Sequence, residues 1–489
     1  MVKRHILVVA ACALSCLVFV IIGLIPVQAQ ENEGGGPVYV VQEGDTLFSI
    51  ALRFGVTMDE LIAANQIPDP NNLGVGASVT IPGLEGVQGV LTTGDVAFGE
   101  TLRSLSRRFK VPLPSLARLN RIVSPAELFV GAQVILPLDQ QQPGPEGRTM
   151  LLPGQSLLEL AVEEAANPWT LASLNELEGA ADAVPGEVLF TPAISTGGPG
   201  ALPESIERVE IDSLPLIQGE TATIFVHASE PLAIEGRFSA FDLRNGNSIE
   251  STTPFFEVAD GVYAGLHGVH AMTSPGFYPF ELTIRAEDGS ETRFSQNLYV
   301  GDGGYVYDPS LAVDPKTLDP AATGPEDELW NGLGKTISPD RLWEGLFESP
   351  AMFPDCWTSR FGSRRSYNEG PYNYFHTGLD FCGGVGLEVK APASGRVTFA
   401  GPLIVRGNAI MVDHGWGVNT GYMHLSEVLV EEGDFVEAGQ VIGLVGGTGR
   451  VTGAHLHWEV WVGGFQVNPA TWLEAVFPQE LPSPGGSAS

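Results

Sequence analysis

Hydrophobic and polar positions between residues 38 and 192 follow one pattern that is written three times. Each copy opens with a short apolar stretch and a turn: EGDT at 43–46, FGET at 98–101 and PGQS at 153–156. A run with apolar residues at helical spacing follows, LFSIALRFGV in the first copy. A second helical run then ends at an asparagine, and a last β stretch ends at a proline. The offset is constant. Gly44, Gly99 and Gly154 lie 55 positions apart (99 minus 44, 154 minus 99), and the same step separates Asn65, Asn120 and Asn175, Gly76, Gly131 and Gly186, and Pro82, Pro137 and Pro192. A fixed period of this size predicts a repeat architecture in which each copy is one small βααβ unit. The copies are placed at 38–82, 90–137 and 149–192, the third being degenerate.

The pattern changes at a linker predicted for 193–204, which holds STGGPGALP at 195–203. Over 205–301 short alternating runs (RVEID, TATIFVHA, GRFSAFDL, YPFELTIRA, RFSQNLYV) are separated by turns such as RNGN and EDGS, which predicts an Ig-like β-sandwich acting as a spacer. His227, His267 and His270 fall here without a carboxylate or cysteine to complete a metal set, and they are expected to be ordinary sandwich residues. A connector over 305–350 carries two short helical candidates, PEDELWNGLG and PDRLWEGLF, each starting at a proline. It is expected to pack on the C-terminal domain through Trp330, Leu342, Trp343 and Phe347, and covering of the site is a hypothesis. A domain at 351–477 follows, and the tail 478–489 has no apolar content to order it.

Composition narrows the class. With 60 glycines, 36 prolines and only 17% charged residues, the chain reads as multidomain and mainly β. The formal charge of -33, from 25 basic against 58 acidic residues, excludes nucleic acid and anionic membrane surfaces as partners. Lys3, Arg4 and His5 precede an apolar run over 6–25 and a small-residue site at Val27-Gln28-Ala29, so 1–29 is expected to be a signal peptide, with an uncleaved anchor as the alternative. Membrane contact is expected only through that segment. Outside it, Cys356 and Cys382 are the remaining cysteines, and an exported pair predicts a disulfide; a zinc thiolate at Cys382 is the rival reading.

Four of the nine histidines lie in HTGLD at 376–380, YMHLS at 422–426 and HLHWEV at 455–460. In an extended HTGLD, His376 and Asp380 share one face with only Gly378 between them. The same parity puts His455, His457 and Glu459 on one face of HLHWEV, with Leu456, Trp458 and Val460 behind. One histidine from each strand and Asp380 would supply three protein ligands to a tetrahedral Zn2+, leaving one position for a water. A remaining histidine beside that water and another from YMHLS can move protons or stabilise an oxyanion.

The first copy, YVVQEGDTLFSIALRFGVTMDELIAANQI with LGVGASVTIP, resembles a LysM module. That resemblance implies a groove for N-acetylglucosamine-containing glycan near Gly44, Asp45, Thr46 and Asn65, and it is weaker for the other copies, where GDTL becomes GETL and GQSL. HxxxD, YxHLS and HxH in this order look like the lysostaphin/LytM-type zinc metalloendopeptidases, over about Phe353 to Val476, with KAPASGRV, GDFVEAGQVIGLVGGTG and VNPATWL agreeing. Carried over by position, the resemblance makes His376, Asp380 and His457 the ligands of one zinc ion and His424 and His455 the catalytic histidines. Tyr374 falls where some members carry a tyrosine near the oxyanion. His414 is expected outside the metal shell as a hydrogen-bonded structural residue, and Glu459 in a supporting or solvent role. The implied activity is hydrolysis of peptide bonds in peptidoglycan by a secreted or envelope-associated enzyme, expected to be a monomer. A catalytically silent wall-binding scaffold or activator of another hydrolase is the competing reading.

Overall fold

A computed structural model describes residues 36–479 apart from 71–72, 85–86, 88, 125–126, 139–146 and 193–197. The signal-peptide or anchor segment 1–29, tail residues 480–489 and part of the linker lie outside the described residues. No helix among the described residues is long and apolar enough to cross a membrane. The chain divides into two compact units between Val90 and Leu91.

The first unit holds the first copy: β1 (Val38–Val40), α1 (Leu47–Phe54), α2 (Met58–Asn65) and β2 (Ser78–Thr80), with β1 and β2 antiparallel. Both helices begin with capping boxes, at Thr46 with Ser49 and Thr57 with Glu60. Each side-chain cap satisfies an amide that the first turn leaves unpaired, typically about 1 kcal/mol. Leu47, Ile50 and Leu61 fill the small core.

In the second unit the next copy comprises β3 (Val90–Asp95), α3 (Leu102–Phe109), α4 (Leu113–Leu119) and β4 (Gln133–Leu138). The third comprises β5 (Gly147–Met150), α5 (Leu157–Glu163), α6 (Pro168–Leu174) and β6 (Val188–Thr191). The constant offset has a physical cause. Asn65 donates to Leu61 O (2.9 Å) and Thr80 O (2.8 Å) and accepts from Thr80 N (2.7 Å), tying the second helix to the last strand. Asn120 does the same with Leu116 and Ile135, and Asn175 with Leu171 and Phe190. The repeated glycines supply left-handed backbone, with φ of 86°, 97° and 86° at Gly44, Gly99 and Gly154.

The sandwich contains β7 (Ile206–Ile211), β8 (Leu216–Ile217), β9 (Thr221–Ala228), β10 (Leu232–Phe241), β11 (Ser248–Pro254), β12 (Phe256–Ala259), β13 (Val262–Gly268), β14 (Gly276–Ala286) and β15 (Glu291–Gly301). One sheet runs β11-β10-β14-β15-β8 and the other β12-β13-β9-β7. Ile224, Val226, Phe238, Phe280 and Leu282 fill the space between the two, and Phe98 of the second repeat joins them. Gln296 also accepts from Gly99 N (2.7 Å) and donates to Glu100 O (3.0 Å), so the FGET turn is buried, whereas the PGQS turn of the third copy is largely exposed. The expectation of a spacer needs correction. Phe225, Ala264 and Leu266, on the other side of the β9–β13 sheet, share a core with Val460, Val462 and Trp472 of the C-terminal domain.

The connector also departs from expectation. Its helix α7 (Pro320–Leu333) starts five residues before PEDELW, because Asp319 caps it and Pro320 occupies the first turn. PDRLWEGLF at 339–347 is not helical. Its backbone bonds go elsewhere, Leu342 N to His414 O (2.9 Å) and Phe347 N to Trp472 O (3.3 Å), and Trp343 and Phe347 are buried against Trp472. Tertiary packing of two aromatics outweighs the local pattern.

The C-terminal domain is built on β16 (Trp357–Ser359), β17 (Arg364–Arg365), β18 (Tyr374–Phe375), β19 (Leu379–Cys382), β20 (Glu388–Lys390), β21 (Gly395–Leu403), β22 (Gly407–Gly415), β23 (Val418–Leu425), β24 (Glu427–Val428), β25 (Phe435–Val436), β26 (Val441–Leu444), β27 (His455–Val462) and β28 (Phe465–Val467), closed by α8 (Pro469–Glu474). The main sheet runs β16-β19-β27-β23-β22-β21-β25, with β28 on β27. In it Asp380 pairs with His457, and Met423 with His457 from the other side, which sets three of the chemical motifs on adjacent strands.

Candidate metal centre

HTGLD is not one strand. The chain bends at Gly378 between β18 and β19, and a Cβ there would lie 2.3 Å from Trp458 O and 2.8 Å from His457 Nε2. Only glycine lets this bend lie against β27, and the bend brings His376 back over Asp380. His376 Nε2, Asp380 Oδ1 and His457 Nδ1 are then mutually 3.0, 2.7 and 3.0 Å apart. Among the described residues these three form the one group of histidine, cysteine and acidic side chains close enough to share an ion. Edges this short leave a point within the usual bond length of about 2.0–2.2 Å from all three atoms, and two nitrogens with one oxygen are donors that zinc accepts.

The far side of each of the three side chains is also occupied. His376 Nδ1 donates to Arg360 O (2.8 Å), which turns the bare lone pair of Nε2 into the centre. His457 Nε2 faces Glu459 Oε1 and Thr377 Oγ1, each at 3.4 Å. Asp380 Oδ2 lies 3.7 Å from Arg365 Nη2. All three residues are less than 9% exposed. Burial disfavours charge on Asp380, but His376 and His457 outweigh it and hold the carboxyl well below its ordinary range. Burial likewise pushes His457 down, yet its contacts with Asp380 and Glu459 raise it to about 9, while burial lowers His376.

His424 and His455 stand next to this cluster, with ring centroids 5.0 Å apart. His424 Nδ1 donates to Thr448 O (2.9 Å) and His455 Nδ1 to Gly453 O (2.9 Å), so each turns Nε2 away from its backbone partner. His455 Nε2 is 3.5 Å from Asp380 Oδ1. Burial and the neighbouring histidines lower His424 to about 3, so it is a neutral imidazole. Tyr374 is 45% exposed and its ring packs on Tyr367 at 5.1 Å rather than on the histidines. His414 is buried, donating from Nδ1 to Ser394 O (2.7 Å), with Nε2 paired to Thr420 Oγ1 (2.8 Å). Cys356 and Cys382 are joined in a disulfide, which leaves no thiolate for a metal.

The four glycan-groove candidates are committed to structure. Asp45 accepts from Tyr39 Oη (2.6 Å) and Gln42 N (2.8 Å) and pairs with Arg53 at 3.4 Å; Thr46 caps α1, Gly44 makes the turn, and Asn65 ties α2 to β2. Sequence reasoning placed Trp330 on the C-terminal domain, where it is buried, but missed its bond to Glu459, a residue to which it gave two roles. Glu459 is 1% exposed, so a solvent role is excluded; its Oε2 accepts from Trp330 Nε1 (2.9 Å) and Trp461 Nε1 (2.8 Å). The signal for Glu459 was its parity with His457.

Parts of the chain are similar to known proteins. Residues 374–469 match Peptidase family M23, and residues 39–82 and 95–137 match the LysM domain. The DD-carboxypeptidase/endopeptidase Mpg of Neisseria meningitidis is 48% identical over 96 residues, 20% of this chain and 22% of that protein. The peptidoglycan DD-endopeptidase ShyA of Vibrio cholerae is 40% identical over 111 residues, 23% of this chain and 26% of that protein. The matched part thus spans about a quarter or less of these relatives' length. A crystal structure of a candidate peptidase M23 from Pseudomonas aeruginosa is 26% identical, covering 54% of this chain and 96% of that one at a TM-score of 0.39.

Proposed function

We propose that this chain, whose C-terminal segment is an M23-type peptidase domain, is an exported zinc-dependent endopeptidase that hydrolyses peptide bonds of peptidoglycan, in the stem peptide or cross-link. Its LysM repeats hold it on N-acetylglucosamine-containing glycan. The observation that carries the reading is the convergence of His376 Nε2, Asp380 Oδ1 and His457 Nδ1, with two further imidazoles alongside. The names of the M23 relatives, DD-endopeptidase and DD-carboxypeptidase, support the substrate class. A disulfide supports an oxidising compartment outside the cytoplasm.

When bound, zinc lowers the pKa of a coordinated water to about 7 and polarises a carbonyl oxygen. His376 and His457 present a single bare nitrogen each, and Asp380 a single oxygen, because their other polar atoms are already held. Nε2 of His455, nearest the ligand cluster, takes the proton of the attacking water and returns it to the leaving amine. Nε2 of His424, left bare because Nδ1–H is spent on Thr448 O, would accept a hydrogen bond from the attacking water and orient it. A weak glycan site added to a weak peptide site raises effective concentration at the wall without tight binding at either. On the first repeat, the exposed Phe48 and Leu52 are one turn apart and offer an apolar face to a sugar ring, with Leu158 and Val162 at the equivalent positions of the third.

The test is zinc content and turnover on defined muropeptides by the full mature chain. Stoichiometric zinc, and loss of both zinc and cleavage in His457→Ala, are the expected results. Absence of stoichiometric zinc together with an undiminished wall effect of His457→Ala would establish the silent scaffold instead. Mass spectrometry of released fragments identifies the bond.

A further inference from the structure

We propose that Trp330 is a positioning residue for the metal centre: through Glu459 it fixes which nitrogen of His457 faces Asp380 and His376. The inference rests on the zinc-peptidase reading and concerns a helix outside the segment matched to the peptidase family. Trp330, fully buried, reaches across 129 positions of sequence to place its indole N–H on Glu459 Oε2. Trp461 places a second N–H on the same oxygen. With Oε2 doubly engaged, the carboxylate cannot turn over, and Oε1 is left toward His457 Nε2. A hydrogen bond from Nε2–H to that oxygen leaves Nδ1 as the nitrogen free to ligate, the arrangement by which outer partners orient metal-binding histidines.

The fold makes room for this contact. Gly421 pairs with Glu459 across β23 and β27, and a Cβ at Gly421 would sit 2.7 Å from Trp330 Cζ2. Any side chain there would displace the indole. The same helix secures the other flank. Glu326, one turn before Trp330, accepts from the backbone amides of Ile404, Val405 and Arg406 at 2.5 to 3.2 Å. Arg406 lays its guanidinium 5.3 Å over the Trp330 ring, and its carbonyl accepts from His424 N (2.9 Å). One face of α7 thus touches the supports of a metal ligand and of a catalytic histidine.

The experiment uses the full mature chain and measures zinc affinity by competition with a chelating dye, beside thermal unfolding of the zinc-free proteins. Trp330→Phe keeps the ring and deletes the N–H; Glu459→Gln keeps both indoles and replaces the carboxylate by an amide. Each is expected to weaken zinc binding about 10-fold or more, with zinc-free unfolding close to the wild type. The double variant should bind no more weakly than the worse single one, because both act through one contact. Wild-type zinc affinity in Trp330→Phe, or full additivity in the double variant, overturns the proposal. If Trp330→Phe does not fold, unchanged zinc affinity in Glu459→Gln overturns it equally. Failure of the wild type to bind zinc sinks the peptidase reading itself, which separates the two.

Discussion

In the first repeat Asp45 places its carboxylate on Tyr39, Gln42 and Arg53, whereas in the C-terminal sheet Asp380 turns one oxygen toward nitrogens of His376, His457 and His455. The first is a charge neutralised by cations and donors that hold a loop. The second belongs to a cluster of groups that share one point in space, an arrangement suited to hold a cation. Asn65 and His457 differ in the same way. The amide saturates three backbone positions, and the imidazole keeps one nitrogen directed at other acceptors. Polar side chains whose hydrogen-bonding capacity is used up build the scaffold, and those that leave one atom directed at a shared point mark the chemistry.

That contrast can be broken most forcefully at the cluster. His376→Ala should abolish zinc binding and cleavage, whereas His455→Ala should keep its zinc and lose about 10²–10⁴ in turnover; equal metal loss in the two reverses their roles. Next in size is the scaffold side. Asn175→Ala leaves two buried backbone groups of Phe190 unpaired and should cost about 2–4 kcal/mol, while the half-buried Asn65→Ala should cost less, as read by denaturant unfolding. If both cost nothing, the asparagines are not the ties described.

The histidines spent on structure give a third test. Burial lowers His267, His270 and His414 to about 4 from 6.5. Their folded pKa values lie below the unfolded ones, so the unfolded chain binds the extra protons, and stability falls as pH drops from 6.5 towards 4. Each imidazole contributes up to about 3 kcal/mol to that loss, and a flat denaturation profile across this range contradicts their buried neutrality. The smallest expected effect is at the exposed face of the first repeat. Phe48→Ser should leave unfolding within about 0.5 kcal/mol of the wild type yet reduce retention on isolated sacculi by a few fold.

The cluster was legible because metal chemistry needs particular residue types, and strand parity survives even where the chain bends, as HTGLD does at Gly378. The 55-residue period was equally legible, but its meaning was not: an asparagine that ties a helix to a strand and one that faces a sugar have the same spacing in sequence. Asp319-Pro320 was a readable helix start, overlooked in favour of Pro325, which sits inside the helix. PDRLWEGLF misled because its spacing is helical while its amides bond to Trp472 and His414. The burial of Trp330 was legible but its partner was not, since nothing local connects it to a glutamate 129 residues away.

Because the outer face of the β9–β13 sheet and the C-terminal sheet share one core, the chain cannot be treated as beads to be reshuffled. A cut near residue 350 would strand Phe225 and Leu266 on one fragment and Val460 and Val462 on the other, each newly wetted. An engineer grafting the C-terminal domain onto a different carrier would have to move about 270 residues as one block, and natural recombination meets the same obstacle.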